Sequence, residues 1–430
     1  MSFKIIHDSI HGSIKFEGIT LKLLETPEMQ RLNGIKQLGL GYLVFPGANH
    51  TRLEHSIGVS YVAERMGRAL NLPEEETTLL KIAGLLHDVG HAPFSHTLEY
   101  LLHEKTGMDH MEITTKIIDG TIDIVGENNL DEGERVYEIL DEYSLSRDML
   151  KKMILGKVEK RTDILSVGEK QVYFGFEKNY LINIISGSLD ADQIDYLLRD
   201  SHYTGVAHGA IDFPRILNTL KIRNGELMID KKGVPALEGM LVARALMYTA
   251  VYFHKTNRIG ELMISRALEE IDLENWMKIY TFNDGELLSL LINSKGYPRE
   301  IGLRIKYRKL FKKALIIKKE ECSEDKEEEI KELYDLKKRR KIEREIAESS
   351  GIPPHYVLID IPQKIADLSE PRLSKTDVKV VDGNRVSTFS RVSPFARALQ
   401  IRKVQDWILL VATPKRYVEK VRKSAERILL

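Results

Sequence analysis

The sequence predicts a mainly α protein with small β-hairpin additions and a mixed α/β C-terminal region. Three observations carry this. Apolar residues recur at helical spacing in several long segments. Strand-like alternation is confined to short stretches beside Gly or Asp-Gly turns. No internal repeat interrupts the pattern.

Residues 3–18, around HDSIHG, alternate apolar and polar and read as a small hairpin. From Leu21 the pattern turns helical. In TRLEHSIGVSYVAERMGRALNL, Leu53, Ile57, Val62, Met66 and Leu70 recur at spacings of four and five, which makes one buried stripe. Thr51 is the expected N-cap, and Pro73 ends the segment. EEETTLLKIAGLLHD reads as a second amphipathic helix with acidic residues at its positive end, closed by Gly90 and Pro93. Residues 119–180 are more polar and read as peripheral helices. SLDADQIDYLLRDSHY is another strong helix. GELMIDKKGVPAL reads as a hairpin, followed by one long helix through LVARALMYTAVYFHKTNRIGELMISRALEEI. KKEECSEDKEEEIKELYDLKKRRKIEREIAESS is an acidic block before a basic one, expected to be a solvated helix with i,i+4 ion pairs. Pro353 and Pro354 mark a boundary, VKVVDGNRVSTF reads as a hairpin at Asp382-Gly383, and an amphipathic helix closes the chain.

The 430 residues carry 64 basic and 64 acidic side chains, so no global basic field for nucleic acid exists. The basic runs YRKLFKK and KKRRKIER are balanced by neighbouring acids and have little aromatic interleaving. Cys322 is the single cysteine, which excludes an internal disulfide and a cysteine-based metal cage. The N-terminus lacks the apolar core of a signal peptide, and no apolar run approaches a membrane span. The expectation is a soluble cytoplasmic protein with no membrane partner.

GLLHDVGHAPFSH concentrates three histidines and an aspartate where a helix breaks. His87 and Asp88 end that helix, and adjacent helical residues point about 100° apart, so both reach one ion only if it sits beside the helix end. Gly90 lets the chain turn away and leaves the two side chains facing a cavity. Alone, the pair reads as a helix C-cap. It is not alone. His55 lies in the first turn of its helix, and Asp192, Tyr196 and Asp200 fall at i, i+4 and i+8 on one stripe. An inward polar stripe is costly without a partner. One metal held by His55, His87, Asp88 and Asp192 satisfies it, and mixed N/O ligation suits Mn, Fe, Ni, Co or Zn.

The order His, His-Asp, Asp resembles the HD phosphohydrolase superfamily. Five blocks in order, DSIHGSI, RLNGIKQLGLGYLVFPGANHTRLEHSIGV, LLHDVGHAPFSHTLE, DADQIDYLLRDSHYTG and YFHKTNRIGELM, resemble its dNTP triphosphohydrolase branch. That branch includes bacterial dGTPases and the catalytic core of the vertebrate SAM-and-HD-domain enzyme. The resemblance spans roughly residues 1–275, an HD core. Residues 276–430 are then an accessory and oligomerisation region.

The resemblance implies cleavage of a dNTP between the 5′ oxygen and the α-phosphorus, giving deoxynucleoside and triphosphate. It implies the metal quartet above, with Mg²⁺ as an additional ion, and the active-site histidines His91, His96 and His110. His96 is expected to be the acid, oriented by Glu99, where the family more often has Asp. Arg52, Arg244 and Lys255 match positions near the substrate, and Tyr196 matches a tyrosine near the phosphates. Gln193 stands in place of a phosphate-binding lysine. Gln37 and Asp200 match residues that bond the 3′ hydroxyl, and Leu38 and Tyr252 match those packed against C2′. Glu25, Gln30 and Asn33 occupy an activator segment without its arginine, so a nucleotide activator of different preference, or none, is implied. A homo-oligomer, dimer or tetramer, is also implied. The alternatives are an HD phosphodiesterase or nucleotidase, and a nucleic-acid-binding protein with a vestigial HD core. The intact sugar-pocket residues favour the triphosphohydrolase.

Overall fold

The computed structural model describes residues 3–126, 133–156, 164–167, 170–173, 178–361, 378–401 and 407–430. It is mainly helical, with small sheets of two to four strands. Strands Phe3–Asp8 and Gly12–Glu17 form the expected antiparallel hairpin, with Asp8 facing Gly12 across the turn. The Asp8 carboxylate closes that turn by accepting the Ile10 and His11 N–H groups at 2.9 and 2.8 Å.

Three helices make the frame of the site. Helix Arg52–Ala69 starts at Thr51, which accepts the Glu54 N–H while Glu54 reaches back to the Thr51 N–H, so two otherwise unpaired donors are satisfied. Helix Glu74–Leu86 packs against it through Gly84, where a Cβ would meet Ser60 Cα at 3.0 Å. Helix Ala191–Thr204, capped by Asp190, crosses the same helix at Gly58. A side chain there would fall 2.0 Å from Asp195 Oδ1. Buried Leu80, Ile82, Leu85, Val59, Val62, Ile194 and Leu197 fill the space between these helices.

Several expectations are corrected. Strand Glu226–Asp230 pairs with the strand before it, Leu220–Arg223, through Asn224-Gly225; both turn residues have positive φ, as a tight hairpin requires. Lys231–Gly233 is instead a 3₁₀ turn into helix Val234–Met247, started by the Asp230 side chain on the Lys232 N–H. The long helix after it is interrupted. Val234–Met247 passes into a π-helical turn at Tyr248–Tyr252, and a new helix, Lys255–Glu269, begins where His254 accepts the Thr256 N–H. Residues 231–252 are long and apolar enough to cross a membrane, contrary to expectation, yet 56% of their most apolar stretch is buried inside the protein. They form a core helix. Between 119 and 180, helices Val136–Glu142 and Arg147–Leu155 are followed by an antiparallel pair, Ile164–Val167 with Lys170–Tyr173. The rest of the peripheral helices expected there lies outside the described residues, apart from Asn179–Ser186 at the end.

The charged segment forms two helices, Glu324–Glu332 and Leu336–Ser350. The first is exposed with i,i+3 pairs such as Lys326–Glu329. The second packs: Glu343 is buried, accepts the Ile359 N–H at 2.8 Å and pairs with Arg340. It and the closing helix Val418–Leu429 cover a sheet of Lys312–Ile317, Leu409–Thr413 and Leu358–Asp360, making a second apolar core. The hairpin Lys379–Asp382 and Arg385–Thr388 turns at Gly383 as expected, and its first strand adds in parallel to Glu226–Asp230.

Candidate active site

The helix ends and the loops after them enclose a cavity of about 700 Å³. At its floor, His55 Nε2 lies 2.9 Å from Asp192 Oδ1 and 3.7 Å from Asp88 Oδ2, and His87 Nε2 lies 3.3 Å from Asp88 Oδ1 and 3.8 Å from Asp192 Oδ1. Ligand atoms about 2.1 Å from one ion and at right angles are about 3 Å apart. The Nε2 atoms of His55 and His87 are buried without a hydrogen-bond partner. His87 is aimed by donating Nδ1–H to the Gly84 carbonyl at 2.8 Å. His55, His87 and Asp192 group closely enough to hold a divalent transition metal, with Asp88, whose Oδ2 is engaged by Arg52, beside them.

Asp195 organises the floor from beneath. Its Oδ2 bonds His55 Nδ1 at 2.7 Å, its Oδ1 bonds His11 Nε2 at 2.7 Å, and Arg199 donates to both oxygens at 2.8 and 3.0 Å. Arg199 also reaches Asp8 of the N-terminal hairpin at 2.8 Å. Burial opposes ionisation of Asp195, but Arg199, His11 and His55 hold its carboxyl well below the usual range. A carboxylate behind a histidine sets which ring nitrogen faces the metal. Burial also disfavours charge on His55, yet Asp192 and Asp195 push the ring up to about 10, the signature of a field that attracts a cation.

One wall carries His91, His96 and His110, with ring nitrogens within 4.8 Å of one another. His91 stacks on His110 at 4.1 Å. Glu99 bonds His96 Nδ1 at 2.7 Å through Oε2 and His110 Nδ1 through Oε1. Burial works against the Glu99 anion, but His110 and His96 hold it well below the usual range, and Glu99 in turn raises His110 against its own burial. His91 is pushed well below by burial, Arg52 and His110, so it is a neutral ring. His96 is the most exposed of the three, at 42% of its side chain. Arg52 donates to Asp88 and, at 2.9 Å, to Ser95 Oγ.

The lining also includes Gln37, Leu38, Tyr196, Asp200 and Tyr252. The Asp200 carboxylate is held at 2.7 Å by His50 on one oxygen and by the Tyr252 hydroxyl on the other. Burial keeps both Tyr196 and Tyr252 protonated, so each hydroxyl remains a donor. Gln37 Oε1 is buried without a partner.

Of the expected residues, His55, Glu99, Arg244 and Lys255 are not in the cavity lining: His55 and Glu99 stand directly behind it, against Asp192 and against His96 and His110, and the two cations stand apart. Arg244 is fully buried behind Gln193, donating to its Oε1 at 3.1 Å, and Lys255 lies over the Trp407 ring at 5.3 Å. Among the described residues, Arg258 lines the cavity as well as Arg52, clamped by Asp360 at 2.6 Å and Glu261 at 2.7 Å. Sequence reading missed Asp195, Arg199, His11, His50 and Arg258 as parts of the site. Asp8, His11, His50, Asp195 and Arg199 lie within the family-like blocks, but the pairing that makes them matter joins segments 140 or more residues apart.

A model of the HD domain matches residues 52–173, and a model of the HD associated region matches residues 211–430. An uncharacterised protein of Methanocaldococcus jannaschii is 33% identical over 98% of this chain and 81% of its own length. The deoxynucleoside triphosphate triphosphohydrolase SAMHD1 of Homo sapiens is 30% identical over 72% of this chain and 55% of its own length, and that of Bos taurus 32% identical over 63% and 48%. The chain thus spans about half the length of the triphosphohydrolases it matches. A hypothetical protein from Aquifex aeolicus of solved structure superposes with a TM-score of 0.72 at 30% identity, covering 98% of this chain and 100% of that one. A phosphohydrolase from Bacteroides thetaiotaomicron shares the fold, with a TM-score of 0.69 at 24% identity over 96% of this chain and 100% of its own.

Proposed function

We propose that this chain, which belongs to the HD superfamily of phosphohydrolases, hydrolyses deoxynucleoside triphosphates to deoxynucleoside and triphosphate. The observation that carries the reading is the meeting of three groups in and directly behind the lining of one cavity. These are the unpartnered Nε2 atoms of His55 and His87, the Glu99-held histidines, and Asp200 paired with Tyr252.

A divalent metal on His55, His87, Asp88 and Asp192 would polarise the α-phosphate and ready a water for attack. The residues of the chain do the rest. His96, with Nδ1 on Glu99, keeps Nε2 free to give a proton to the departing 5′ oxygen as its bond to phosphorus breaks. Water supplies the new oxygen on phosphorus and loses its proton to the site. Arg52 neutralises charge between Asp88 and the phosphate. Gln37 Oε1 and the Asp200 carboxylate offer acceptors for the 3′ hydroxyl, while Leu38 and Tyr252 fill the space a ribose 2′ hydroxyl would need. Arg244 and Lys255 would act on the phosphates only after moving, so Arg52 and Arg258 are the phosphate-facing cations of this proposal. An additional Mg²⁺ would ride on the triphosphate. A cytoplasmic location, assembly of the chain as a dimer or tetramer, and response to a second nucleotide belong to the same proposal, as does a division into an HD core to residue 275 and an accessory region beyond it.

The test is incubation with all four dNTPs and Mn²⁺, Fe²⁺ or Mg²⁺, with products separated by anion exchange. Deoxynucleoside with intact triphosphate, lost in His87→Ala, is the expected result. Orthophosphate or pyrophosphate would move the assignment to another HD chemistry.

A further inference from the structure

The loop that presents His96 is strained. Phe94 and Ser95 are consecutive non-glycine residues with φ of +58° and +55°, a region that costs an L-residue roughly 1–2 kcal/mol. Such a turn persists only where its surroundings over-determine it. The restraint comes from far along the chain. Asp284 Oδ1 accepts the Phe94 N–H at 2.6 Å, and Asp284 Oδ2 accepts the Lys36 N–H at 3.0 Å. One buried carboxylate therefore ties the loop carrying His96 to the loop carrying Gln37 and Leu38.

The surroundings are shaped for this contact. Gly34 lets the 283–284 turn approach, since a Cβ there would meet Asn283 Cβ at 2.7 Å. Gly39, at φ +50°, does the same for Phe94, whose carbonyl would lie 2.7 Å from a Cβ. Ser95 Oγ donates to the Lys36 carbonyl at 2.7 Å, a second tie between the two loops. Arg31 donates to the Phe282 carbonyl at 3.1 Å and to the Val89 and His91 carbonyls at 3.0 and 2.7 Å, bracing the same turn against the metal loop. Asp284 is the first residue of helix Asp284–Asn293, where an acid ordinarily only favours the helix dipole. That role needs neither burial nor bonds to two distant backbones.

We infer that Asp284 is a positioning residue: it sets the distance between His96 and the substrate loop at Gln37–Leu38. This rests on the proposed function for its kinetic consequence and on the geometry alone for its structural one. A misplacement of about 1 Å in a reacting group costs up to about 10²-fold in rate.

The experiment compares wild type, Asp284→Asn, His96→Ala and the double variant, each metal-loaded, on a dNTP. Asp284→Asn is expected to lower kcat by about 10- to 100-fold with KM changed less than about threefold and metal content unchanged. On the His96→Ala background its further loss in kcat should be several-fold smaller than on wild type, since the part that acts through His96 is already gone. Additive losses, or an unchanged kcat, would overturn the inference. A second readout needs no substrate. In nitrogen-labelled histidine NMR, the His96 ring signals should shift in Asp284→Asn while those of His55 and His87 stay in place. If the wild type cleaves no dNTP, the proposed function fails, and unmoved His96 signals still overturn the positioning role. Asp284→Glu, which keeps the charge but lengthens the reach, gives the same readouts should Asp284→Asn not fold.

Discussion

Asp195 touches neither the cavity nor its contents, yet it accepts from His11, His55 and Arg199 at once. Asp195→Asn keeps the shape and turns one acceptor oxygen into a donor that faces existing donors. The His55 ring is then free to turn, and metal affinity should fall about 10- to 100-fold, as for other residues behind metal ligands. Metal titration of the purified variant checks this; an unchanged affinity would contradict it. At this scale the polar stripe on an apolar helix and the histidine at a helix break pointed to the grouping of His55, His87, Asp88 and Asp192, whereas His91, His96 and His110 were singled out only by family resemblance. Asp195 was singled out in neither way. It lies three residues after Asp192 and has no local sign of the ring it supports. Arg244 and Lys255 show the converse: a cation matched by sequence position takes its direction from tertiary neighbours, here Gln193 and Trp407.

The turn at Asp284 also has a pH signature that belongs to the elements it joins. Burial pushes the Asp284 carboxyl up to about 6, against the Lys36 and Phe94 N–H bonds that favour its charge. Between about pH 4 and about pH 6 the folded chain holds a proton that the unfolded chain has released. The contribution of this group to stability therefore falls as pH rises through that window. Asp284→Asn does not titrate, so its stability relative to wild type should rise by up to about 3 kcal/mol from about pH 4 to about pH 7. Urea unfolding of both proteins across that range reads the difference, and a pH-independent difference would contradict the account. Helix Arg52–Ala69 with its Thr51 cap, and helix Ala191–Thr204 without its Asp190 cap, were legible at this scale. The break at Tyr248–Tyr252 was not, because the run MYTAVYF keeps an apolar pattern on either side of it. The π-helical turn changes the backbone count per turn, and it is there that Tyr252 is aimed at Asp200. The hairpin at Glu226 was misassigned for a related reason: Asn224-Gly225 and Lys232-Gly233 are both plausible turns, and only pairing decides between them.

Across the whole molecule, the residues after 275 take part in the cavity as well as in their own core. Asp360 clamps Arg258 in the cavity wall, Asp284 holds the loop before His96, and Lys379–Asp382 completes a sheet begun at Leu220–Arg223. The hairpin at Asp382-Gly383 was legible from its turn, but not its docking on a strand some 150 residues earlier, since a parallel pairing leaves no local pattern. The cavity so assembled is lined by the His96 imidazole, the metal-binding side chains His87, Asp88 and Asp192, and the residues proposed to face the sugar. That arrangement makes one claim about bond breaking: water attacks the α-phosphorus, and the 5′ oxygen leaves with the deoxynucleoside. Turnover of a dNTP in water enriched in the heavy oxygen isotope, with both products weighed by mass spectrometry, tests it most directly. The account predicts one heavy oxygen in the triphosphate and none in the deoxynucleoside. Label in the deoxynucleoside, or in released orthophosphate or pyrophosphate, would contradict it.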